Sequence, residues 1–141
     1  IGEGEESNKL KKIVNKLSLN ERVIFTGAIH DHVLLKNHFS KSYAYISPGP
    51  VGLGVLHSFA YGVPVVTLDY GKHGPEYHNI IDNENGLLFS NLNELEKMII
   101  NLEKNKKNTI RLGSNAFNHY NSKRNLDIMV DGLIQAIDYD Y

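Results

Sequence analysis

Four short apolar runs alternate with stretches of helical periodicity, and that alternation restricts the chain to very few architectures. Val23-Ile24-Phe25, Tyr43-Ala44-Tyr45-Ile46, Val65-Val66-Thr67-Leu68 and Leu87-Leu88-Phe89 are too short for helices and rich in β-branched, aromatic or aliphatic residues. Turn formers bound them: Thr26-Gly27 closes the first, Ser47-Pro48-Gly49-Pro50 the second, and Asn85-Gly86 precedes the last. Between them the apolar residues recur three and four apart. Leu10, Ile13, Val14 and Leu17 predict a helix over 6–17, and Asp31 caps one predicted over 32–39. Val55, Leu56, Phe59 and Ala60 mark a helix that ends at Gly62, and Pro75 opens a short one. Leu92, Leu95, Met98, Ile99 and Leu102 form a further stripe. After a solvated turn over 104–108 come a helix near 109–120 and a last one carrying Leu126, Met129, Val130, Leu133 and Ile137. Strands apolar on both faces and separated by helices belong to a parallel sheet covered on two sides. The predicted fold class is α/β, a Rossmann-like parallel sheet with helices on both faces, as a single domain over 1–141.

Charge and composition then remove several function classes. Lys and Arg number 15 against 16 Asp and Glu, so no positive excess is present to neutralise a nucleic-acid backbone. There is no cysteine, which excludes disulfide scaffolds, thiolate metal sites and cysteine nucleophiles together. No apolar run approaches the roughly 20 residues that span a bilayer, and a cytoplasmic location, or a peripheral one at the inner face of the membrane, is expected. His30 and His32 stand two apart at a helix entrance with no converging carboxylate, so no metal is expected. Ser58, within Leu56-His57-Ser58-Phe59, lacks the flanking glycines of a nucleophile elbow. The opening Ile1-Gly2-Glu3-Gly4 reads as the end of a buried strand and a turn. On that reading the chain is a fragment whose first strand is absent.

In open parallel sheets ligands lie at the carboxyl ends of strands, which is where Pro48 to Gly54 falls. Gly52 and Gly54 lack a Cβ, so the N–H groups from Val51 to Val55 can approach a ligand closely, aided by the partial positive charge of a helix start. A diphosphate suits that cradle. Spacing alone leaves open a second account, in which the glycines only permit the turn and close helix packing.

The segment Gly49-Pro50-Val51-Gly52-Leu53-Gly54-Val55-Leu56-His57-Ser58-Phe59-Ala60-Tyr61, followed by Gly62-Val63-Pro64-Val65-Val66, resembles the donor-site segment of retaining GT-B glycosyltransferases. In that family it reads Glu-Gly-Phe-Gly-Leu, three residues, Glu-Ala-Met-Ala, then x-Gly-x-Pro-Val-Val. Ile1-Gly2-Glu3-Gly4-Glu5, Val23-Ile24-Phe25-Thr26-Gly27, Pro75-Glu76 and Asn85-Gly86-Leu87-Leu88-Phe89 match in the family's order. Two departures stand out: the motif glutamates fall at Gly49 and His57. The Pro-Gly-x-Val-Gly-Leu, His, Tyr-Gly-x-Pro pattern is similar to a variant subgroup of bacterial surface-polysaccharide transferases.

The resemblance implies the C-terminal half of a GT-B fold, with the acceptor domain N-terminal to it and absent here. It implies transfer, with retention, of a sugar from UDP- or GDP-sugar to a glycan or lipid-linked acceptor, as in O-antigen or capsule synthesis, with no cofactor. Val51, Gly52, Leu53 and Gly54 would hold the diphosphate and sugar, His57 the ribose, and Gly27, Ala28 and Ile29 the base. His73, Pro75 and Glu76 would lie alongside, Glu76 being the one catalytic candidate. For His57 the competing account is a core histidine, and for Glu76 a carboxylate that only favours a helix start. With the acceptor domain missing, the fragment is expected to transfer no sugar. A non-catalytic nucleotide-sugar-binding module and half of a sugar-nucleotide epimerase are the alternative functions.

Overall fold

The protein is described by a computed structural model covering residues 1–139. The chain divides into two compact units, Ile1–His38 and a second from Phe39 onward. The first contains α1 (Ser7–Lys16) and nearly all of α2 (His32–Phe39), and none of its residues is buried. Asp31 caps α2 as expected, its Oδ1 accepting from Val33 N at 2.8 Å and Leu34 N at 2.9 Å. Val23-Ile24-Phe25, however, forms no strand and stays exposed, Ile24 by 79%. A strand requires a ladder partner, and this unit offers only one bridge, Gly2 N donating to Gly27 O at 2.8 Å.

The second unit holds the sheet. Strands β1 (Tyr45–Ser47), β2 (Val65–Leu68) and β3 (Gly86–Phe89) are parallel and adjacent in that order, with Tyr45 opposite Val65 and Val65 opposite Gly86. β1 begins two residues later than the apolar run suggests. Ser47 belongs to it because it pairs with Thr67, whose hydroxyl donates to Ser47 O at 2.7 Å. Alternation along β2 sends Val65 to one face and Val66 to the other. Val65 packs with Val51, Val55, Phe59, Ile80 and Ala116; Val66 packs with Leu87, Phe89, Leu102 and Leu112. One cluster is roofed by α3 (Gly54–Ala60) and the other by α4 (Leu92–Lys104), while α5 (Lys106–Lys123) supplies Ala116 to the first and Leu112 to the second. The unit is therefore α/β and Rossmann-like, with helices on both faces of its parallel sheet.

The solvated turn expected over 104–108 shrinks to one residue. Asn105 ends α4 and caps α5, its Oδ1 accepting from Asn108 N at 3.1 Å, while Thr109 Oγ1 donates to Leu102 O at 2.7 Å. The last helix, α6 (Leu126–Ile137), is capped by Asn125 and buries none of its residues.

The link from α3 to β2 is as tight as Gly62-Val63-Pro64 implies. Gly62 adopts φ +68, its N–H reaches Phe59 O at 2.9 Å, and Val63 N reaches Ser58 O at 3.0 Å. These two bonds are the αL termination that glycine favours after a helix. Buried Ser58 completes it by donating its hydroxyl to Val63 O at 2.7 Å. Gly113 of α5 lies against this turn so closely that a Cβ there would sit 2.2 Å from Gly62 O.

Candidate functional site

Residues 48–54 leave β1 and enter α3 at the carboxyl end of the strands, anchored by one side chain. Val51 is 3% exposed and joins the Val65 cluster, whereas Gly52 and Leu53 on its far side are exposed. The two motif glycines have different reasons to be glycine. A Cβ on Gly54 would lie 2.6 Å from Tyr45 Oη, so Gly54 permits packing. A Cβ on Gly52 would meet no atom within 4 Å, and Gly52 does not take a positive φ. Nothing in this unit's packing at Gly52 requires a glycine there. Gly49 is equally open. The N–H groups of Gly52, Leu53 and Gly54 donate to no acceptor among the described residues, while Gly52 O accepts from Val55 N at 3.0 Å. α3 has only seven residues and no side-chain cap, so the loop's own N–H groups, more than an extended helix dipole, are what this end of the sheet offers to an acceptor.

Val51 departs from the expected cradle, because its N–H is already directed elsewhere. It donates to Nδ1 of His73 at 3.4 Å, and Val51 O accepts from Gly74 N at 2.9 Å. The imidazole lies flat on Tyr77, centroids 4.3 Å apart and planes 14° apart, and Nε2 is 3.2 Å from Tyr70 O. A carbonyl can only accept, so Nε2 carries the proton and Nδ1 is free to accept from Val51. Tyr77 Oη in turn donates to Asp69 O at 3.1 Å.

Gly74 brings the acidic residue to the same place. A Cβ on Gly74 would lie 2.7 Å from Glu76 Oε2, 2.9 Å from Val51 O and 3.7 Å from Gly52 Cα. Glu76 is in the first turn of the 3-10 helix Pro75–Asn79, behind Pro75, and its carboxylate accepts no hydrogen bond among the described residues. A carboxylate so placed repels phosphate and accepts from hydroxyl groups. His57 is exposed on α3, its N–H donating to Leu53 O at 3.1 Å, so it is no core histidine. Residues four apart share a helical face, which puts His57 and Leu53 on one side.

Behind the 3-10 helix lies a polar brace with no local sequence signal. Buried Asn79 donates to Glu76 O at 3.0 Å, and its Oδ1 accepts from Arg124 Nε at 2.6 Å and faces His119 Nε2 at 3.4 Å. Asn85, 1% exposed, donates to Asn79 O at 2.9 Å and accepts from Ile81 N at 2.7 Å. Burial lowers the pKa of His119 below the usual 6.5; the charges of Lys123 and Arg124 add to this and Glu84 opposes it.

The structure thus collects Val51, Gly52, Leu53, Gly54, His57, His73, Pro75 and Glu76 within one unit. Gly27, Ala28 and Ile29 belong to the first unit, where Gly27 takes φ +69 with Glu3 Oε1 3.3 Å from the place of its Cβ. His30 and His32 join no group of three or more metal-ligating side chains among the described residues. No helix among those residues is long and apolar enough to cross a membrane.

The family model for glycosyl transferases group 1 matches residues 1–119. No curated protein sequence matches the chain. Among solved structures, sucrose-phosphate synthase from Thermosynechococcus elongatus is similar with TM-score 0.80 and 24% identity, over 95% of this chain and 34% of that one. A mutant of S. aureus TarM in complex with fondaparinux, alpha-GlcNAc-glycerol and UDP is similar with TM-score 0.79 and 22% identity, over 96% and 27%. HepE of Anabaena in complex with UDP-glucose is similar with TM-score 0.77 and 20% identity, over 95% and 37%. The chain therefore spans about a third of the length of these structures.

Proposed function

The chain belongs to the glycosyl transferases group 1, and from that premise we propose that it is the part of a retaining glycosyltransferase that binds the nucleotide-diphospho-sugar. The openness of Gly52 carries the reading. A position that neither backbone conformation nor packing reserves for glycine, followed by unoccupied N–H groups, suits the close approach of a ligand. Phosphate oxygens would accept from Gly52, Leu53 and Gly54, stabilising the charge that develops on the leaving diphosphate. Glu76, set against Gly74, would accept from hydroxyls of the sugar, and exposed His57 would bond the ribose.

The donor class is UDP- or GDP-sugar, supported by the UDP and UDP-glucose in two similar structures. The acceptor, a glycan or lipid-linked glycan of bacterial surface polysaccharide at the cytoplasmic side of the membrane, would be held by parts of the enzyme that this chain does not span. Turnover by this chain alone is accordingly expected to be absent, and an assay for released UDP or GDP in the presence of acceptor glycans checks it. The decisive measurement is calorimetric titration with UDP and GDP before and after Gly52→Phe. Binding should be lost while the fold is retained; binding that survives Gly52→Phe unchanged removes the loop from the site.

A further inference from the structure

We infer that His73 is a ligand-responsive occupant of the loop: in the free chain its neutral ring holds the Val51 N–H, and a bound diphosphate releases that N–H as the ring takes a proton and becomes a charged donor to the phosphate. The inference rests on the reading of residues 51–54 as the diphosphate site. The Val51 N–H has a partner, whereas the next three along the loop have none among the described residues.

The partner is built to let go. At 3.4 Å the bond from Val51 is longer than the usual range of about 2.7–3.2 Å, so it contributes little by itself. Stacking on Tyr77 and the proton shared with Tyr70 O place the ring more firmly than that bond does. One added proton changes its role. An Nδ1 that carries hydrogen cannot accept, so the Val51 N–H is freed, and the ring presents a positive charge next to a loop whose following three N–H groups have no acceptor among the described residues. The proton comes from solvent and no covalent bond is altered.

Residues 48–54 contain no ionisable side chain, so the loop presents His73 with backbone alone. From the 3-10 helix come Tyr77, His78 lying edge-on to Tyr77 at 6.0 Å, and the Glu76 carboxylate over Gly74; Asp69 and Lys72 precede the ring in the chain. A diphosphate adds negative charge to a loop that itself carries none.

Titrating the chain with UDP and with GDP at about pH 6 and about pH 8, in native and His73→Phe forms, tests this. Phenylalanine keeps the stack on Tyr77 and removes both nitrogens, and each ligand's own titration is common to the two proteins. The native chain should gain about tenfold in affinity at the lower pH relative to the variant. Equal pH dependence in the two proteins overturns the role of His73 and leaves the donor site standing; absence of binding by both nucleotides overturns both readings. The imidazole ¹⁵N shifts of the native chain give an answer independent of the variant's folding. They should report the Nε2–H tautomer when free and the doubly protonated ring when saturated with nucleotide, and a ring that stays neutral overturns the inference.

Discussion

Two glycine-bearing turns flank α3, and they are glycine-bearing for opposite reasons. At its end, Gly62 sits at φ +68 and Gly113 faces it with no room for a methyl group, so the chain itself demands both. At its start, Gly52 is under no such demand. A glycine enforced by φ or by a backbone neighbour reports on folding, whereas the open Gly52 is where the proposed ligand would approach. Gly54, two residues from Gly52, is pressed by the Tyr45 side chain rather than by backbone.

The sharpest way to break this contrast is to add side chains at both ends. Gly113→Ala should cost most, since overpacking against backbone of ~3 kcal/mol outweighs the ~1 kcal/mol gained in helix propensity; urea unfolding should show a net loss of about 2 kcal/mol. An unchanged midpoint would mean that α5 slides freely past the turn. Next comes Gly52→Phe, expected to weaken UDP or GDP binding by at least tenfold, ~1.4 kcal/mol, while moving stability by no more than about 0.5 kcal/mol. Comparable losses of stability at positions 52 and 113 would erase the distinction. Gly62→Ala isolates backbone strain, because its Cβ would stand an ordinary 3.6 Å from Gly113 O; about 1 kcal/mol of stability should go, with nucleotide affinity intact. The smallest effect should come from acid. His119 has its pKa lowered in the folded state, so the unfolded chain takes up the proton first and stability falls as pH drops from 6.5 through that lowered value. Denaturation midpoints at about pH 7.5 and about pH 5.5 should converge more closely in a His119→Gln protein than in the native one.

How far the molecule can be read from its sequence depends on whether the cause of each feature is local. β2 and β3 announce themselves because a strand buried on both faces reads as a nearly continuous apolar run, and the Gly62 turn does so because its φ demands glycine. Val23-Ile24-Phe25 carries the same apolar signature and forms no strand in its unit, since such a run expresses readiness to be buried and says nothing about a partner. Asn105 reverses the chain alone, through a side-chain cap that composition does not distinguish from a longer polar turn. In the candidate site, the loop's place after β1 was legible, but the direction of the Val51 N–H was not, because its acceptor lies 22 residues away. The same holds for Asn79 and Arg124, joined across 45 residues.

The burial of Asn85 bears on how the protein ages. An asparagine followed by glycine is the pair most prone to cyclise and lose its amide nitrogen, through attack of the next backbone nitrogen on the side-chain carbonyl. Here both ends of the amide are engaged, and Gly86 is fixed opposite Val65 with its missing Cβ pressed on Val65 O and Ile80. The hydrogen bonds and the pairing in β3 both resist the rearrangement that attack requires. Deamidation at Asn85, followed by mass spectrometry of stored protein, should therefore act as a clock of local opening, running at the peptide's pace in denaturant and far slower in the folded chain.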